Sequence, residues 1–91
     1  NGNGNSGDNV LVGNSGANVL SGGDGNDYLT GGDGDDTLDG GADDDQLQGS
    51  GGHDYLSGGT GSDTLIGGDG IDTMVGGGGD DGYVIRDIGD V

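Results

Sequence analysis

The chain has 91 residues and a formal net charge of −17: 28 Gly and 18 Asp stand against one basic side chain, Arg86, with no Cys, Pro, Trp, Phe or Lys. Val, Ile and Leu supply 17 residues, about 19% of the chain, which rules out an ordinary hydrophobic core and describes a polymer that stays open until its charge is neutralised. One domain fits this length, a disulfide framework is excluded, and so acidic a surface repels nucleic acid and anionic lipid while attracting cations.

No apolar run exceeds three residues, so neither a membrane span nor a signal peptide is expected. Residues 1–3 read as an N-terminal remnant. From Gly4 to Val84 the chain divides without insertion into nine blocks of nine: GNSGDNVLV, GNSGANVLS, GGDGNDYLT, GGDGDDTLD, GGADDDQLQ, GSGGHDYLS, GGTGSDTLI, GGDGIDTMV and GGGGDDGYV. The period breaks at Ile85, and residues 85–91 read as the start of a capping strand that covers the last coil.

Each column of the repeat has its own physics. Position one is Gly in every block, and position four is Gly in all but the fifth, which has Asp43; both are expected where the chain turns through positive φ or brings its carbonyls close to a partner. Position six is Asp in seven blocks and Asn in the first two, Asn9 and Asn18. Position eight is Leu seven times, then Met74 and Tyr83. Six residues of turn chemistry thus alternate with a three-residue strand that points outward, inward, outward, and recurrent Gly excludes a helix. A block with one inward apolar side chain cannot fold alone, so the blocks must stack as a solenoid around a seam of Leu11, Leu20, Leu29, Leu38, Leu47, Leu56, Leu65, Met74 and Tyr83. Two blocks per coil place odd and even blocks on opposite sheets, and four and a half coils at strand spacing span roughly 20 Å. The irregular turns at 40–45, with Asp43, and 49–54, with Ser50 and Gly51, are expected to be distorted.

So thin a seam cannot offset the entropy of ordering a Gly-rich chain, and charge repulsion adds to the deficit. A bound cation supplies the missing term, because its binding energy becomes folding energy. The available ligands are carboxylates, amide oxygens and backbone carbonyls, which favour Ca²⁺ over Zn²⁺, and over Mg²⁺ with its stricter octahedral geometry.

The blocks GGDGNDYLT, GGDGDDTLD, GGTGSDTLI and GGDGIDTMV resemble the RTX, or haemolysin-type, calcium-binding nonapeptide G-G-x-G-x-D-x-U-x, and the resemblance runs from residue 4 to 84. It implies an all-β parallel β-roll in which the turns of blocks n and n+2 stack along an edge with one Ca²⁺ between them. Carried over by position, the carboxylate ligands are Asp27, Asp36, Asp45, Asp54, Asp63, Asp72 and Asp81, with Asn9 and Asn18 offering amide oxygens instead. The remaining ligands implied are main-chain carbonyls of the first four block positions: Gly22 and Asp24; Gly31, Gly32, Asp33 and Gly34; Gly40, Gly41 and Ala42; Gly49 and Gly51; Gly58, Gly59, Thr60 and Gly61; Gly67, Gly68, Asp69 and Gly70; Gly76, Gly77 and Gly79. Asp27 with Asp45, Asp45 with Asp63, Asp63 with Asp81, Asp36 with Asp54 and Asp54 with Asp72 make five full sites; Asn9 with Asp27 and Asn18 with Asp36 make two weak or empty ones. Five to seven divalent ions would bring the formal charge from −17 to −7 (−17 + 10) or −3 (−17 + 14).

The side chains of Asp24, Asp33 and Asp69 at position three, and of Asp8, Asp35, Asp44 and Asp80 at position five, are expected to face solvent. His53 reads as an ordinary turn residue; with no second His, no Cys and no Glu, the chain has no dyad or zinc triad, and no enzyme activity is expected of it. The resemblance further implies a module of a secreted bacterial protein exported by type I secretion, which folds on meeting extracellular calcium and supports secretion, folding and structure. Two alternatives stay open: an accessory glycan-binding module of an extracellular polysaccharide-modifying enzyme, and a spacer or stalk of an RTX adhesin, with end-to-end stacking of open roll ends as a further contact. Tyr28 and Tyr55 fall on opposite sheets, which weakens an aromatic glycan platform, and the irregular position-seven series argues against ice binding.

Overall fold

The period of nine dictates a chain that folds back on itself every eighteen residues, and that is the register observed. A computed structural model describes residues 2–84; Asn1 and the capping strand expected over 85–91 lie outside the described residues. The strands are β1 (Gly2–Asn3), β2 (Val10–Val12), β3 (Val19–Gly23), β4 (Tyr28–Gly32), β5 (Thr37–Gly41), β6 (Gln46–Ser50), β7 (Tyr55–Ser57), β8 (Thr64–Gly68), β9 (Thr73–Val75) and β10 (Gly82–Val84). They alternate between two parallel sheets, β1-β3-β5-β7-β9 and β10-β8-β6-β4-β2, which makes a β-solenoid of about five coils. Each residue pairs with the one eighteen positions on, as in Leu29↔Leu47 and Leu38↔Leu56. Tyr28 and Tyr55 do lie on opposite sheets.

The fold's shortest dimension is 12 Å, which leaves room for one layer of interdigitated side chains between sheets. That layer is the position-eight column: Leu29, Leu38, Leu47, Leu56 and Leu65 are fully buried, and Leu20 and Met74 nearly so. Leu11 is only partly buried, because the residue in register with Leu20 at this end is Gly2, which adds no side chain to the layer. The pairing Gly2↔Leu20 and Asn3↔Ser21 extends the strand register ahead of Gly4.

The seam expected from sequence needs one correction: Tyr83 is 46% exposed. Its hydroxyl oxygen accepts the Gly76 N–H at 2.6 Å. In the interior the corresponding Gly58 N–H donates to Val75 O of the next coil at 2.8 Å, so at Gly76 the phenol oxygen takes the place that a strand carbonyl takes at Gly58.

Two further expectations are revised. Five strands are five residues long because the ladder continues into the next block's first two positions, with pairs such as Gly23↔Gly41 and Ser50↔Gly68. The turns at 40–45 and 49–54 are not distorted, and the register runs through them. Asp43 and Ser50 take the left-handed conformation themselves, at φ 72° and 82°; Asp tolerates this region better than most residues.

Candidate metal-binding turns

Left-handed residues occur at positions two and four of every block from the third to the ninth, and nowhere in the first two blocks. Of the two reasons the sequence offered for glycine at position one, positive φ and close approach, the structure selects close approach. A Cβ on Gly40 would stand 2.5 Å from Asp45 Oδ2 and 2.8 Å from Gly58 O of the next coil. Gly22 has the same surroundings, with Asp27 Oδ2 and Gly40 O. Position one therefore leaves a cradle in which a carboxylate oxygen and a carbonyl from the adjacent coil converge.

The position-six side chains are held there by the fold. Asp27, Asp36, Asp45, Asp54, Asp63 and Asp72 are each at most 4% exposed, Asn18 is buried, and Asn9 and Asp81, in the first and last described turns, are partly buried. One oxygen of each carboxylate has a fixed task. Asp45 Oδ1 accepts the Asp27 N–H at 2.8 Å, Asp63 Oδ1 the Asp45 N–H, and Asp81 Oδ1 the Asp63 N–H. On the other edge Asp54 Oδ1 accepts from Asp36 and Asp72 Oδ1 from Asp54. The second oxygen is different: Oδ2 of Asp27, Asp36, Asp45, Asp54 and Asp63 is buried without a hydrogen-bond partner. A buried unpaired oxygen costs on the order of 1–3 kcal/mol, and more when charged.

Burial pushes the Asp45 and Asp54 carboxyls up to about 7 and Asp63 up to about 6. The backbone N–H bonds at Oδ1 oppose the rise, and the like charges of Asp63 and Asp27 beside Asp45, and of Asp72 and Asp36 beside Asp54, add to it. Asp36 is raised by the same burial. Like charges stacked in a desolvated column are the electrostatic signature of a place for a cation.

The donor set also fits a hard cation. No group of three or more His, Cys, Asp or Glu side chains gathers at one point among the described residues; carboxylates come in pairs along each edge, with carbonyls beside them, which suits calcium and not zinc. The carbonyl positions are not equivalent, however. Gly41 O and Gly59 O accept the N–H of Thr60 and Gly78 in the next coil at 3.0 Å, so one lone pair at position two is already engaged.

Asp24, Asp33 and Asp69 are exposed, as expected. Position five is exposed too, yet its side chains form a second ladder that sequence reasoning missed. Asp8 Oδ1 accepts the Asn26 N–H, Asn26 Oδ1 the Asp44 N–H, and Asp44 Oδ1 the Ser62 N–H, all within 3.0 Å. On the opposite edge Asp35 Oδ1 accepts the His53 N–H, and the His53 Nδ1–H donates to Ile71 O at 3.1 Å. A carboxylate, amide or hydroxyl at every second block's position five is the only signal that could have revealed this.

A family model described as RTX calcium-binding nonapeptide repeat, in four copies, matches residues 3–38, 30–65 and 57–83. No curated protein matches the chain. The repeat roll is a structural calcium-binding module and not a catalytic one. With the match running from residue 3 to 83 over a parallel roll of stacked turns, the chain belongs to the RTX calcium-binding nonapeptide repeat family, and calcium is the ion its repeats imply.

Proposed function

We propose that residues 4–84 are one calcium-folded roll, a module of a secreted bacterial protein that is open where calcium is scarce and folds outside the cell. The observation that carries this reading is the column of partnerless Oδ2 atoms of Asp27, Asp45 and Asp63 on one edge and of Asp36 and Asp54 on the other. A fold that buries unpaired carboxylates is unfavourable by itself. Bound calcium supplies the positive charge that turns this repulsion into attraction between coils. The chain's own part is to aim the second oxygen of each position-six Asp, fix the first on a backbone N–H, and keep position one free of a Cβ. Interior carboxylates such as Asp45 and Asp54 each belong to two gaps, so neighbouring gaps fill cooperatively.

The family's usual setting in secreted bacterial proteins supports the extracellular part of the reading, with type I secretion as the route. The roll itself then serves as a folding trigger and a structural support for whatever it is joined to. The test is a Ca²⁺ titration followed by far-UV circular dichroism, with Mg²⁺ as control. A steep, calcium-specific coil-to-strand transition is expected; a full strand spectrum in EDTA at neutral pH refutes the reading.

A further inference from the structure

The first two turns differ from the other seven in backbone and in chemistry. Positions two and four, left-handed from block three onward, are not so at Asn5, Gly7, Asn14 and Gly16. The same three hydrogen bonds close both turns. The Asn5 N–H donates to Asn9 Oδ1 at 2.7 Å, Asn9 Nδ2 donates to Asn5 Oδ1 at 3.1 Å, and the Gly7 N–H donates to Asn5 Oδ1 at 2.9 Å. In the second block the corresponding bonds are Asn14 N–H to Asn18 Oδ1 at 2.8 Å, Asn18 Nδ2 to Asn14 Oδ1 at 3.1 Å, and Gly16 N–H to Asn14 Oδ1 at 2.9 Å.

Position six thus has no orphan here. The Oδ1 of Asn9 and Asn18 lies over the position-one glycine, where blocks three to seven hold the partnerless Asp Oδ2, but it is already occupied by an N–H. The reciprocal bond needs a donor at position six, which an amide has and a carboxylate lacks; Asp at residue 9 would set its charge against Asn5 Oδ1.

We propose that the paired asparagines close the first two turns without calcium, so that within these nine blocks the ion columns begin at the Asp27–Asp45 and Asp36–Asp54 gaps. This rests on the calcium reading above and assigns Asn5 and Asn14 as positioning residues for the lock. Side-chain amides do in these two turns, without charge, what a cation does in the later ones: they join the start of the turn to its sixth residue. The first coil consequently docks onto filled coils and needs no ion of its own.

The test compares the 91-residue chain with the fourfold variant Asn5→Gly, Asn9→Asp, Asn14→Gly, Asn18→Asp, which restores the repeat pattern in both blocks. Calcium is counted by native mass spectrometry and by equilibrium dialysis with calcium alone as the probe. Five ions for the parent and seven for the variant are expected. Seven in the parent, or five in both, overturns the asparagine lock and leaves the calcium reading standing; no bound calcium in either overturns both. A second readout does not depend on the variant folding: in the calcium-loaded parent, the Nδ2 protons of Asn9 and Asn18 should exchange at least tenfold more slowly than those of exposed Gln46 in nuclear magnetic resonance spectra. Equal rates overturn the lock.

Discussion

Replacing Asp45 with Asn separates two explanations of a buried carboxylate by the sign of the effect. The change keeps the shape and keeps Oδ1 as acceptor for the Asp27 N–H at 2.8 Å, but removes the charge from a side chain 4% exposed. If Oδ2 were only a burial cost, its neutralisation would stabilise the fold by about 1–3 kcal/mol. If Asp45 faces a cation on each side, two gaps weaken together. With extracellular-type affinity near 10⁻⁴ M and calcium near 1 mM, each filled gap contributes about 1.4 kcal/mol, so Asp45→Asn costs about 3 kcal/mol. Asp81, at the last described turn, belongs to one gap, and Asp81→Asn costs about half as much. Urea unfolding followed by circular dichroism at 1 mM calcium reads both. The order should reverse in EDTA, where Asp45→Asn moves the chain toward the folded state. An Asp45→Asn variant as stable as the parent in calcium, or no more damaged than Asp81→Asn, refutes the bridging argument.

Acid should act in opposite directions with and without the ion. Because burial raises Asp45 and Asp54 to about 7 and Asp63 to about 6 from 3.8, the metal-free fold is favoured most below about pH 3.8 and loses that stability as pH rises through 6–7. Strand content in EDTA should therefore be higher at pH 3.5 than at 7.5, whereas calcium affinity should fall from pH 7.5 to 5.5, with proton release on binding measurable by calorimetry in buffers of different ionisation heat. Gly40→Ala places a methyl against Asp45 Oδ2 and Gly58 O and should cost 2 kcal/mol or more, on the order of an overpacked core site; Gly78→Ala meets nothing within 4 Å and should leave the calcium midpoint unchanged or improve stability by about 0.5 kcal/mol. Ser50→Gly releases a left-handed serine at φ 82° and should raise stability by about 1 kcal/mol, seen as a shift in the urea midpoint.

What could be read from sequence was whatever repeats. The leucine column, the eighteen-residue pairing and the position-six carboxylates each follow from residue type at fixed spacing, and Leu47 or Asp45 could be placed without coordinates. What could not be read depends on partners that residue type leaves open. Asp8 and Asp44 look like any solvated turn carboxylate until the coil stacks and brings a backbone N–H to each. Asn9 reads as a weaker Asp, because nothing in one column reveals that Asn5 will bond to it. Tyr83 occupies an inward position by count, yet its ring is half exposed and its hydroxyl oxygen accepts the Gly76 N–H, a partner that residue type does not reveal. Position-one glycines could serve turning or close approach, and the choice between the two is visible only once the neighbouring coil is present.

The uniform eighteen-residue offset between ladder partners also governs how such a chain scales. In most β architectures added strands lengthen some loop, and the closure entropy of that loop slows assembly. Here every new coil closes over the same short stretch onto a template already formed, so a roll of twice the length asks no larger closure of any step. Gain or loss of a nine-residue block moves the later blocks to the other edge, where they keep one another as partners, and only the pairings that span the change are new. Length can therefore change in units of one block while the pairing within each part stays as it was.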